Sequence, residues 1–431
     1  MSNNPVIEVI PERPLLIAGK EQTIDLLIRV HPPELNGKSR RPQLNLSVVL
    51  DRSGSMQGEK IIRARQSACY LIDQLLPQDR ISVVIFDDVI DLLVPSRPAD
   101  NKEQIKEMIS RIQARNSTAL HEAWVRGGIQ VSEHLTQGAI NRVILITDGL
   151  ANVGETNSDR IVSQAGELAA RGVSTSTIGI GRDFNEDLLI PMAEAGRGNA
   201  WQTVEPSSLE RIFATELEGL IAQVGHTVSL GLTPNEGVKV QDVLNDFDVT
   251  HTGRYKLPNL RVGSPIDVVI KVKAPARREG ERYRLLDLRL AWNPQQAPVS
   301  QSPAQKITNG DRQVLTQSIA VEYTGAGLVE QTRIDERVTK AVQLLMAARA
   351  RREAMEHLDH GDFASARLTV AESIQSMYHA CARLASDEDV QEQIRMLNEL
   401  EEDLKSQQDT AMARKKMSYQ SYYLRQSKTL K

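Results

Sequence analysis

A chain of 431 residues exceeds what one hydrophobic core ordinarily organises, so roughly two to four domains are expected. Hydrophobic residues at 40% and charged residues at 25% describe a soluble globular protein. A formal net charge of −4, with acids and bases interspersed, gives no electrostatic footprint for nucleic acid or an anionic membrane, and aromatics at 4% argue against stacking platforms for single strands.

The start, Met1-Ser-Asn-Asn-Pro5, has no basic region followed by an apolar core, so no signal peptide is expected. The apolar runs are strand-length, short of the ~20 residues of a membrane span. Cytoplasmic placement is the default. Cys69 and Cys381, far apart in sequence, read as small buried hydrophobes in a reducing compartment.

Residues 1–43 carry two alternating β-rich runs, Val6-Ile-Glu-Val-Ile10 and Thr23-Ile-Asp-Leu-Leu-Ile-Arg-Val30, bounded by proline and glycine. Two strands alone make a marginal sheet, so they are expected to pair with strands far downstream. Residues 32–43 form a polar, breaker-rich linker.

From 44 to 223 strand and helix alternate. Strands are expected near 44–50, 81–86, 143–147, 174–180 and 200–204, and helices over 58–76, 101–113, 119–135, 158–171, 185–195 and 207–223. Such alternation predicts a doubly wound, mostly parallel sheet covered on both faces. Ligands in these folds bind beyond the carboxyl ends of the strands. The first strand stops at such an end on Asp51-Arg-Ser53-Gly-Ser55, one carboxylate and two hydroxyls spaced by two. In extended backbone these positions project to one side. Carboxylate, hydroxyl and water suit a small hard cation, magnesium first.

Residues 224–329 return to β texture, with Asp267-Val-Val-Ile-Lys-Val-Lys273 and Tyr283–Trp292 alternating between breakers. An antiparallel sandwich is expected, completed by the strands of 1–43. Its segment 293–312 reads as a long, polar, mobile loop.

Residues 330–431 read as helical. Ile334, Val338, Ala341, Val342, Leu345 and Ala348 share a face, and Gly361-Asp362 ends one helix and caps the next. The pair resembles a single tetratricopeptide-like hairpin, without the ~34-residue repetition of an array, so it is expected to be an appendage. A third helix over 387–417 leads into a basic, tyrosine-bearing tail, Arg414–Lys428. The fold class is therefore multidomain: a doubly wound α/β sheet inserted in an antiparallel β-sandwich and followed by a C-terminal helical region.

The Asp51-x-Ser53-x-Ser55 loop resembles the metal-ion-dependent adhesion site of the von Willebrand factor A (VWA) family. That site also needs a threonine on a second loop and an aspartate ending a central strand. Asn116-Ser-Thr118-Ala-Leu120 and Arg142-Val-Ile-Leu-Ile-Thr-Asp148-Gly supply them in order. The resemblance implies Asp51, Ser53, Ser55, Thr118 and Asp148 as metal ligands on a solvent-facing rim. Mg2+ is the implied ion, with Mn2+ or Ca2+ as alternatives. It covers about 44–223, and the family's frequent Gly-Gly or Gly-Ser before the threonine is here Asn116-Ser117. With flanking sandwich segments, the arrangement resembles inter-alpha-trypsin-inhibitor-like and bacterial VWA proteins. The mechanism implied is ion-bridged recognition, in which an Asp or Glu of a protein partner completes the metal shell. Without a metal, the same residues read as helix caps, an Asx turn and an ordinary Asp-Gly turn.

Enzymatic activity is not expected. Ser53 replaces the second aspartate of a haloacid dehalogenase-type site, and no Gly-x-Ser-x-Gly elbow surrounds Ser53 or Ser55. Gly37-Lys38-Ser39 lacks the upstream glycine of a phosphate loop, and Gly179-Ile-Gly181 has Phe184 at the third dinucleotide-motif position. His357 and His360 beside Asp359 and Asp362 read as solvated helix-end residues. His121 and Glu122 follow Thr118 closely enough to meet whatever docks on the metal. Two rival classes are an adaptor subunit of an AAA-type ATPase or of a kinase/phosphatase signalling set, and a metal-dependent hydrolase using the ion as Lewis acid. Oligomeric state is not legible.

Overall fold

Leu44–Asp51 is buried along its whole length, the mark of a central strand with helices on both faces. Leu44, Leu46, Val48 and Leu50 join one core with Ile61, Ala64, Leu71, Phe213, Leu217 and Leu220 from helices on that side. On the other side Gly127 lets a helix approach so closely that a Cβ there would stand 2.5 Å from Val49. The computed structural model describes residues 4–34, 41–115, 117–136, 138–150, 152–295, 312–406 and 409–428. They form two units, one from 41–223 with Gln295, the other from 4–34, 224–294 and the residues from 312 on.

The elements in chain order are β1 (Val6–Pro11), β2 (Leu15–Ile17), β3 (Gln22–His31), β4 (Leu44–Asp51), α1 (Glu59–Gln74), β5 (Arg80–Phe86), β6 (Ile90–Pro98), α2 (Lys102–Ser110), α3 (Leu120–Ser132), β7 (Ile140–Thr147), α4 (Ser158–Ala170), β8 (Ser174–Ile180), α5 (Glu186–Ala195), β9 (Arg197–Thr203) and α6 (Leu209–Ile221). There follow β10 (Gln223–Pro234), β11 (Lys239–Val243), β12 (Tyr255–Lys256), β13 (Leu260–Arg261), β14 (Ile266–Ala274), β15 (Arg282–Pro294), β16 (Gln313–Thr324), α7 (Ala326–Gln331), α8 (Glu336–Asp359), α9 (Phe363–Ala380), α10 (Glu388–Ser406) and α11 (Thr410–Arg425).

In the 41–223 unit the sheet order is β6-β5-β4-β7-β8-β9, parallel except for β6. The expected doubly wound α/β fold is thus present. β6 was not anticipated, because Pro95 and Pro98 break its pattern. An edge strand tolerates proline, since one side of its backbone needs no partner. The chain leaves β4 toward β5 and β6, then crosses to β7, β8 and β9, so the crevice between β4 and β7 opens where the order reverses.

In the other unit, β1-β3-β14-β11 faces the sheet β12-β10-β15-β16-β2. Ile24, Leu26, Ile28 and Val30 pack with Leu230, Leu286, Leu288, Leu290 and Val321 between the sheets. The sandwich departs from full antiparallel order at β2, which pairs with β16 in parallel. β3 lies hydrogen-bonded between β1 and β14, the downstream pairing that its length demanded. Deleting residues 4–31 is therefore expected to unfold the sandwich, exposing one side of β14. An isolated 224–325 fragment showing native-like circular dichroism and a cooperative melt would refute this. Most of the 293–312 loop and half of the 32–43 linker lie outside the described residues, which omit 296–311 and 35–40.

The C-terminal residues depart from expectation. Leu27 and Val269, on the outer face of β3 and β14, pack against Val338, Ala341 and Leu345 of α8, so the helices cover the sheet and are not a mere appendage. Arg349 bridges Asp242 and Asp246 in addition. The single helix over 387–417 is instead two, α10 and α11, the latter capped by Asp409 on the Met412 amide. The stretch read as a tail is mostly α11, with Tyr419 and Tyr422 buried and the Ser421 hydroxyl donating to Ala348 O at 2.9 Å. Its basic side chains find acids: Arg414 pairs with Asp359 and Lys416 with Asp403. Among the described residues no helix is long and apolar enough to cross a membrane, and Cys69 and Cys381 are free thiols.

Candidate metal centre

β4 and β7 run parallel with Leu50 opposite Ile146, so Asp51 and Asp148 leave the sheet at the same carboxyl edge. Register places Thr147 beside Asp51, and the Thr147 hydroxyl donates to Asp51 Oδ2 at 2.6 Å. Asp51 Oδ1 accepts from the Ser53 amide at 2.7 Å, an Asx turn that aims the loop back over the strand end. The Ser53 and Ser55 hydroxyls lie 3.0 Å apart. Ser55 donates to Asp148 Oδ1 at 2.7 Å, and Lys60 Nζ lies 2.5 Å from Asp148 Oδ2. Four of the five expected ligands therefore form one hydrogen-bonded chain.

Thr118 joins from the second loop. Gly149 sits beside two of the three hydroxyls: a Cβ built on it would lie 3.6 Å from Thr118 Oγ1 and 3.8 Å from Ser55 Oγ. The Thr118 backbone is clamped from both ends, its amide donating to Asn152 Oδ1 at 3.1 Å and its carbonyl accepting from the Asn152 amide at 3.3 Å. Thr118 is not a helix cap. Ala119 holds that position in α3 without a side-chain bond, so the threonine hydroxyl is not used in capping. The neighbouring Asn116 lies outside the described residues.

The rim expected for the carboxylates is not what forms. Asp51 and Asp148 are 0% exposed, while Ser55 faces solvent. Burial pushes the Asp51 carboxyl up to about 6 against its bonds from Thr147 and Ser53, and the neighbouring Asp148 adds to the rise. Two buried acids with three hydroxyls and no nitrogen or sulfur donor suit a hard divalent ion. Among the described residues no three His, Cys, Asp or Glu side chains gather to hold a metal, so the metal reading rests on this mixed carboxylate–hydroxyl set. A bound ion would supply the positive charge that two buried acids need and a point of attachment for an outside oxygen ligand.

Sequence reasoning missed the residues that position this set. Asp87, fully buried, pairs with Arg52 at 3.1 Å and with Arg115 at 2.5 Å, while its carbonyl accepts from the Ala119 amide at 2.7 Å. The Arg115 amide donates to the Arg52 carbonyl at 2.7 Å. Asp87 thus ties the first metal loop to the second. Burial raises its carboxyl, yet the Val89 amide and the Arg115 and Arg52 guanidiniums outweigh that and hold it below its ordinary value. Asp87→Asn is expected to weaken divalent-metal affinity roughly 10- to 100-fold, the usual effect of losing a residue that orients ligands. Calorimetric titration with Mg2+ checks this, and an unchanged affinity would remove Asp87 from the site. Of the two residues following Thr118, His121 has its Nε2 2.6 Å from Gln164 Oε1, and Glu122 Oε1 accepts from the Glu155 amide at 3.3 Å.

Residues 45–215 match the family model of the von Willebrand factor type A domain, and the 41–223 unit is such a domain. Domains of this class typically hold a divalent metal ion and bind protein partners. A Synechocystis protein described as "Uncharacterized protein sll0103" is 30% identical over 174 residues, 40% of this chain and 41% of its own. Human inter-alpha-trypsin inhibitor heavy chain H4 is 28% identical over 226 residues, 50% of this chain and 24% of its own. The chain thus spans less than half the length of these curated relatives. The solved von Willebrand factor type A protein from Catenulispora acidiphila superposes with a TM-score of 0.69 at 17% identity, over 92% of this chain and 90% of that one. The last likeness is one of fold.

Proposed function

We propose that this is a metal-dependent protein-binding protein, in which a Mg2+ ion held by Asp51, Ser53, Ser55, Thr118 and Asp148 takes an Asp or Glu of a partner protein as its outer ligand. The observation that carries the reading is the convergence of two buried strand-end carboxylates with three hydroxyls, of which Ser55 alone is exposed to solvent. Few charged ligands leave an ion with unsatisfied charge and with positions for outside oxygen ligands, a design suited to bridging. The role is binding without turnover. The proposed setting is the cytoplasm.

The test is affinity capture from an extract of the source cells on the immobilised full chain, with Mg2+ and with chelator, read by mass spectrometry. A partner retained in Mg2+, released by chelator and absent from an Asp51→Ala column supports the reading. Partners that stay bound through chelation, or magnesium-dependent turnover of phosphoesters lost in Asp51→Ala, overturn it.

A further inference from the structure

Lys60 stands against local preference. It is the second residue of α1, in the turn where the helix field favours acids and disfavours cations. Places where a natural chain breaks a local rule are expected to be functional or strained sites. Its stem is largely covered, the side chain being 24% exposed, and its ammonium lies 2.5 Å from Asp148 Oδ2. The chain makes room for it. Gly181, at the end of β8 with φ +81°, would carry a Cβ 3.1 Å from both Cε and Nζ of Lys60, so a side chain there would crowd the lysine as well as strain the backbone.

We propose that Lys60 is a specificity-determining residue of the metal centre, setting the charge of the ion-loaded site so that it selects an anionic oxygen ligand. The proposal rests on the metal-centre reading above. Two buried carboxylates and one ammonium sum to a net charge of minus one, so a divalent ion leaves an excess of plus one. That excess is poorly screened, because both carboxylates are out of solvent. An incoming carboxylate neutralises it, whereas a neutral amide or hydroxyl does not. Without Lys60 the ion and the two acids cancel, and no net charge remains to favour an acidic partner. The lysine therefore weakens the hold on the ion and strengthens the loaded site's hold on an acid. The two carboxylate oxygens of Asp148 serve different neighbours, since Oδ2 meets Lys60 while Oδ1 lies on the Ser55 side.

The experiment uses the full chain, Mn2+ as the metal probe and acetate as the ligand probe. Mn2+ affinity is measured by calorimetry, and acetate binding to the Mn2+-loaded protein by water-proton relaxation. Lys60→Met keeps the stem and removes the charge. It is expected to bind Mn2+ at least about tenfold tighter, given the interaction of unit charges a few ångströms apart at an effective dielectric near 20, and acetate several-fold more weakly. Lys60→Arg keeps the charge and is expected to stay close to the wild type in both measurements. Lys60→Gln serves if the methionine variant does not fold by circular dichroism. Mn2+ binding that is unchanged or weaker in Lys60→Met, unchanged acetate affinity, or a Lys60→Arg variant that behaves like Lys60→Met overturns the role of Lys60 while leaving the metal centre standing. A wild-type chain that binds no Mn2+ overturns the metal-centre reading itself.

Discussion

Asp51→Ala is expected to abolish divalent-metal binding and to leave the protein folded. In the wild type, Mg2+ at about a hundred times its dissociation constant stabilises by about 2.7 kcal/mol, because only the folded state binds it. The melting midpoint of the 41–223 unit should therefore rise with Mg2+ concentration. In Asp51→Ala that dependence should vanish, since the lost carboxylate is one of only two in the set. The fold survives because burial makes the Asp51 charge costly, raising its carboxyl to about 6. Removing that charge offsets the loss of the bonds from the Ser53 amide and the Thr147 hydroxyl. Scanning calorimetry with and without Mg2+, beside circular dichroism, checks both halves. Metal-dependent stabilisation that persists in the variant would exclude Asp51 as a ligand.

Glu216→Ala should be strongly destabilising to the same unit. Glu216 on α6 is 1% exposed and pairs with Arg142 of β7 at 2.8 Å, itself equally buried. Its carboxylate also accepts from the Ser176 hydroxyl at 2.6 Å and from Trp201 Nε1 at 2.9 Å. Truncation would strand a guanidinium and several donors in the interior, at a cost of about 3–5 kcal/mol. That is a large part of the ~5–15 kcal/mol by which a typical domain is stable. The double variant Arg142→Met/Glu216→Leu should recover part of the loss, since breaking a buried pair costs more than replacing it with apolar groups. Urea denaturation of wild type, single and double variants measures this. A loss below about 1 kcal/mol in Glu216→Ala would show that the network is not fully desolvated in solution.

The local order of this chain is legible in its residues. Period-2 and period-3.6 apolar patterns locate strands and helices because each short segment must bury one face or both. The Asp51-x-Ser53-x-Ser55 loop and the strand ending on Asp148 are readable for the same reason: an apolar run that stops on a carboxylate announces its own strand end. Asp362 after Gly361 is readable as a helix cap, and its side chain does accept from the Ser365 amide.

Tertiary structure decided what local pattern does not encode. β6 took shape only because the sheet offered an edge where Pro95 and Pro98 do no harm. The basic stretch after Arg414 became a helix with a buried face because Ala413 and Met417 pack into the core of α8, α9 and α10, while Asp359 and Asp403 meet its outward charges. Lys60, Thr147, Asp87 and Asn152 acquired their places at the metal centre through partners on other loops. Each of those contacts joins residues far apart in sequence, and the two that reach Asp51 and Asp148 follow from the register of β4 against β7. A residue's type states which bonds it is able to make, and the spacing of its neighbours states its local conformation. Which distant group meets it, and whether that meeting is buried, follows only once the sheet has aligned its strands and removed the water between them.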